Sequence, residues 1–109
     1  MIKVDNVRSN LSSLNVVYIG RKCGKFEGSI LGNPFKIGRD GSRDEVVEKY
    51  RRWLWVEVQK KDEVWEELLE LLEKYKLWGD MVLVCWCAPQ ACHGDVIKKC
   101  LEWLIKEGY

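Results

Sequence analysis

The stretch Met81 to Asp95 constrains this chain more than any other: Met-Val-Leu-Val-Cys-Trp-Cys-Ala-Pro-Gln-Ala-Cys-His-Gly-Asp. Its first half is apolar and β-branched, and reads as a buried strand over Met81 to Cys87. Pro89 ends that strand, a polar turn follows, and an amphipathic helix begins near Ala91. Three of the five cysteines (Cys85, Cys87, Cys92) and the only histidine, His93, therefore fall where strand gives way to helix. In open α/β sheets ligands bind at that junction, and a helix N-terminus favours anions and thiolates.

The rest of the chain supplies partners for that strand. Met1 to Val7 alternates loosely and reads as a first strand, and Arg8 to Asn15 as a polar loop. Val16 to Ile19 is a second β-branched run, ended by Gly20. From Gly20 to Gly41 there is no helical period, and the spacing predicts a long loop with a short strand over Phe35 to Ile37. Ser42 and Glu45 then form a Ser-x-x-Glu capping box. Val46, Val47, Tyr50, Trp53 and Leu54 follow on one helical face, predicting a helix from Arg43 to about Val58. Asp62 caps the next helix, whose stripe is Val64, Trp65, Leu68, Leu71, Leu72 and Tyr75, with Gly79 at its end. The last helix runs from about Ala91 to Glu107 and buries Val96, Ile97, Cys100, Leu101, Leu104 and Ile105. This order, with an apolar third strand, predicts one α/β domain over 1–109: small, three-layered and Rossmann-like, with a mostly parallel sheet. An α+β sandwich is the alternative.

With 47% apolar and 32% charged residues the chain has the composition of a folded domain. A net charge of +1 recruits neither nucleic acid nor a membrane surface, although Arg51-Arg52 beside Trp53 and Trp55 forms a local basic, aromatic cluster. No apolar run is long enough to span a bilayer, and Met1-Ile2-Lys3-Val4-Asp5 is not a signal peptide. The odd, clustered cysteines do not read as a secreted disulfide framework, so the expected setting is a reducing cytoplasm. The Lys/Glu-rich helices point to a thermophilic source.

Three readings of the cysteine cluster stay open. In the first, Cys92 is a helix-N-terminal nucleophile, with His93 as acid/base and Asp95 as acceptor. In the second, Cys85, Cys87 and Cys92 hold a zinc ion. In the third, the thiols are small buried hydrophobes. A second constellation is the loop Gly20 to Arg39. Gly20 permits close backbone approach, Arg21 and Arg39 offer forked donors to phosphate or carboxylate, and Asn33 bonds a ligand or its own backbone. Neither a Walker loop nor a dinucleotide fingerprint is present, and the residues name no cofactor.

Several of these segments together resemble a family of unknown function. They are Val17-Tyr18-Ile19-Gly20-Arg21, Leu31 to Gly38, Asp40 to Arg43, Cys85-Trp86-Cys87-Ala88-Pro89, and Cys92-His93-Gly94-Asp95-Val96. The family consists of small phage, viral and prokaryotic proteins marked by a Cys-His-Gly-Asp motif. The resemblance covers about Asn15 to Leu104, with Lys22 to Ser29 outside its pattern. It implies that the segments share one site, in the host cytoplasm if the protein is viral, and it implies no activity.

The leading expectation is a domain that binds a nucleotide-like or phosphorylated small molecule through Gly20, Arg21, Asn33 and Arg39, with Cys92, His93 or Asp95 acting on it. A metal-binding module, or a viral module that meets a host protein through exposed tryptophans, is the alternative. Whether the protein is an enzyme and whether it oligomerises stay open. With His93 exposed in a crevice, His93→Ala is expected to leave the fold intact.

Overall fold

β-branched and apolar residues form three short strands, β1 (Ile2–Asn6), β2 (Val16–Tyr18) and β3 (Met81–Cys85). The computed structural model describes residues 1–8, 15–24, 27–87 and 90–109. The strands form a sheet in the order β1-β3-β2, with both pairings parallel. Register sets Ile2 opposite Met81, and both Val4 and Val17 opposite Leu83. These residues, with Cys85, share one face of the pleat.

Helices α1 (Arg43–Lys60), α2 (Glu63–Trp78) and α3 (His93–Lys106) complete the described elements, giving the expected α/β class. Their starts follow the predicted chemistry. The Ser42 hydroxyl accepts from the Glu45 N–H while the Glu45 carboxylate accepts from the Ser42 N–H, and Asp62 caps Val64. All three helices direct buried side chains into one core on the Leu83 face. It includes Tyr50 and Leu54 from α1, Leu68 and Leu71 from α2, and Ile97, Leu101 and Leu104 from α3. The further layer expected from the unbroken run Met81 to Val84 is not helical in the described residues. Val84 is fully buried, yet it alternates away from that core.

Three local expectations change. Phe35 to Ile37 is a turn, not a strand, because Asp40 ties it into a knot. The Asp40 carboxylate accepts from the Lys36 N–H and the Arg39 Nε–H, and the Asp40 N–H returns to the Lys36 carbonyl. β3 stops at Cys85, two residues early, once neither neighbouring strand extends alongside. On α3, Ile105 is exposed and Val96 and Cys100 are only partly buried, so its buried stripe is narrower than its apolar one.

Tyr50 links the core to the long loop. Its ring is fully buried, and its hydroxyl donates to the Leu31 carbonyl at 2.6 Å. Burial raises the phenol's pKa, so it stays a donor. Tyr50→Phe is expected to cost about 1–2 kcal/mol, because it leaves a buried carbonyl unpaired. Urea unfolding at unchanged slope checks this.

Candidate functional site

A crevice of about 350 Å³ opens at the carboxyl ends of β2 and β3. This is the size of a small-molecule pocket. Its walls come from Gly20 and Arg21 after β2, Cys85 to Cys87 at the end of β3, and the first residues of α1 and α3, Arg43 and His93. Two helix N-termini thus meet there, each carrying partial positive charge.

Each residue of the segment Cys92 to Asp95 has a defined place. Cys92 is the N-cap of α3, and its N–H donates to the Asp95 carboxylate at 3.1 Å. Asp95 is exposed and closes the helix start. It does not line the crevice. Gly94 lies against the sheet so closely that a Cβ would come within 2.9 Å of Val4 Cγ1 and 3.0 Å of Ile19 Cδ1. The Cys92 sulfur is buried 3.2 Å from the Cys85 sulfur. That contact and burial push its pKa far above the ordinary thiol value. The helix N-terminus therefore does not yield the activated thiolate expected of a nucleophile. Desolvation and the neighbouring thiol outweigh the dipole.

His93 is buried, not exposed as expected. Its Nε2 lies 2.7 Å from the Ile19 carbonyl, and its ring meets Tyr50 edge to face at 5.2 Å. A carbonyl only accepts, so Nε2 carries the proton. Burial and the Arg21 charge lower the imidazole's pKa against the opposing effects of the Ile19 hydrogen bond and Asp95. The neutral ring then holds its lone pair on Nδ1, which bonds to none of the described residues.

The loop residues separate. Gly20 and Arg21 line the crevice. A Cβ on Gly20 would strike the Tyr18 ring, whose hydroxyl donates to the Arg21 carbonyl and accepts from Trp86 Nε1. Asn33 also lines it, and its Oδ1 accepts from the Phe35 N–H at 2.9 Å. Arg39 is spent elsewhere, on the Asp40 carboxylate and the Pro34 carbonyl, and does not reach the crevice.

Lys22 and Lys36, basic residues of the same loop, join Arg21, and Phe35 adds a ring. The structure also adds Arg43, Tyr18 and Trp86, to which the sequence assigns no place in the site. Arg43 is held at the mouth of α3 by its Nη1 donating to the Ala91 carbonyl at 3.2 Å. No carboxylate lines the crevice among the described residues. Cys85, Cys87 and Cys92 do not converge as the zinc reading requires. Cys87 lies beyond the strand, half-buried, and no three His, Cys, Asp or Glu side chains among the described residues are placed to hold a metal ion.

Fold and site define a small parallel α/β domain with a cation-lined crevice at the carboxyl edge of its sheet. The chain belongs to the Domain of unknown function (DUF4326) family, whose profile matches residues 3–103. No curated protein and no solved structure matches it. Among the described residues no helix is long and apolar enough to cross a membrane.

Proposed function

We propose that the crevice binds a phosphorylated, nucleotide-like small molecule and that His93 exchanges a proton with it. The observation that carries this reading is the charge of the lining. Arg21, Lys22, Lys36 and Arg43 stand around two helix N-termini with no carboxylate among the described lining residues. Such a lining favours a compact polyanion. Arg21 and Arg43 have the planar fork that matches a phosphate, and Tyr18, Phe35 and Trp86 offer ring surface for a base. The neutral His93 ring, with its lone pair on Nδ1, supplies a base within the same walls.

The test is a panel of adenosine, its mono-, di- and triphosphates, and inorganic phosphate, read by thermal shift and calorimetry. At least one phosphorylated nucleoside is expected to raise the melting temperature while adenosine does not, with affinity falling as salt rises. Arg43→Ala and Arg21→Ala are each expected to weaken that ligand by roughly ten- to a hundredfold, the range of one charge-assisted hydrogen bond. Equal shifts from adenosine and its phosphates, or no shift from any of them, would count against the reading.

A second reading, a protein-interaction module, is favoured by a different observation. Trp55 on α1 and Trp103 on α3 are both exposed and meet edge to face at 5.6 Å. Such an aromatic pair is characteristic of interface cores.

A further inference from the structure

We propose that Cys85 and Cys92 form an oxidative modification site, a buried thiol pair in the crevice wall that closes to a disulfide when a peroxide enters. The inference stands independently of which ligand the crevice holds. The two sulfurs lie 3.2 Å apart, joined by an S–H···S contact, and both residues line the crevice. A disulfide holds its sulfurs about 2.0 Å apart, so closure asks each to move by roughly half an ångström. The two residues sit on different elements: Cys85 ends β3 and Cys92 caps α3.

The chemistry balances with a hydroperoxide as oxidant. One sulfur attacks the peroxide, whose O–O bond breaks; a sulfenic acid forms and an alcohol or water leaves. The second sulfur then attacks the sulfenic sulfur, and the hydroxyl leaves with the remaining thiol proton as water. Two thiols and one peroxide thus give one disulfide, one alcohol (or water) and one water. Burial admits small peroxides better than bulky disulfides. The high pKa of Cys92 makes the step slow at neutral pH and faster in alkali. Closure joins the strand end to the helix cap and so fixes the position of His93, the next residue.

Of the remaining cysteines, Cys23 is exposed, Cys87 is half-buried two residues beyond Cys85, and Cys100 is a partly buried thiol whose pKa burial pushes up to about 11. Competition from Cys87 decides the matter, and the wild-type chain reports it directly. The protein is treated with hydrogen peroxide, its remaining thiols are alkylated in denaturant, and a tryptic digest is sequenced by mass spectrometry. One tryptic peptide, Leu77 to Lys98, carries Cys85, Cys87 and Cys92. The expected product is two hydrogen atoms lighter and alkylated at Cys87 alone, and dithiothreitol restores all three alkylation sites. A link that includes Cys87, or a product with Cys85 and Cys92 both still alkylated once Cys87 is oxidised, overturns the proposal. Because no variant is used, neither outcome depends on a substitution being tolerated.

Discussion

Gly94→Ala is expected to destabilise the protein by about 2 kcal/mol, the reverse of what the same change does in most helices. In an ordinary helix interior, alanine replacing glycine gains up to about 1 kcal/mol from chain entropy. Here the new methyl meets Val4 Cγ1 at 2.9 Å, Ile19 Cδ1 at 3.0 Å and the Cys92 sulfur at 3.3 Å. Val4 is β-branched, stiff and part of β1, so the 2.9 Å contact with its Cγ1 is not relieved by a side-chain swing, and Ile19 is fully buried. Overpacking of this kind costs about 1–3 kcal/mol. Urea unfolding of the single variant gives the sign. The double variant Val4→Ala with Gly94→Ala gives the cause, since removing Cγ1 makes room for the new methyl. The two changes together are then expected to cost less than their sum. Simple additivity would place the strain elsewhere. Because Gly94 follows His93, any lift of α3 off β1 also moves the imidazole from Ile19.

That dependence explains how much of this molecule was legible beforehand. Local signals announce the helices: the Ser42–Glu45 box and the Asp62 cap recur in the structure, and most of each apolar stripe is buried, while Val47, Trp53, Tyr75, Val96, Cys100 and Ile105 stay partly or wholly outside the core. β3 was legible as a β-branched run, but its end was not. A strand stops where its neighbours stop, and that is a property of the sheet. In the site, Gly20, Arg21, Asn33, Cys92 and His93 come together at one crevice, in line with the topology of a parallel sheet. Arg39 does not join them, because its neighbour Asp40 satisfies it first. Arg43 was missed because a first-turn residue reads as part of a cap, and nothing local shows that α1 begins beside α3. The burial of His93 had no sequence signal at all. It arises from Ile19 and Tyr50, which are distant in the chain and meet only after folding.

His93 should accordingly behave as a structural base whose neutrality the fold enforces. His93→Ala removes a buried ring and leaves the Ile19 carbonyl unpaired, and is expected to cost about 3 kcal/mol. His93→Gln, whose amide N–H can reach the same carbonyl, should recover part of that. The pH dependence is the sharper test. Burial, with Arg21 beside it, holds the folded imidazole's pKa below its unfolded value of about 6.5. The unfolded chain therefore binds this proton first as pH falls. His93's contribution to stability is intact above about pH 6.5, declines as pH drops toward the lower folded value, and is flat below it. Glu57 and Glu67 have raised pKa values and act with the opposite sign, gaining stability on acidification. Asp40, Glu45 and Glu48 are lowered, and their contributions are lost as pH falls through and below their unfolded values of 3.8 for the aspartate and 4.5 for the glutamates. The informative quantity is thus the difference between wild type and His93→Gln from pH 7.5 to 5, since His93 is the chain's single histidine. Wild type is expected to lose stability faster across that interval, and ring ¹⁵N shifts are expected to show Nε2 protonated at neutral pH. Parallel curves would mean that burial does not hold the imidazole neutral, and a proton on Nδ1 would mean that Nε2 does not donate to the Ile19 carbonyl. The lone pair that the proposed chemistry needs would then not be on Nδ1.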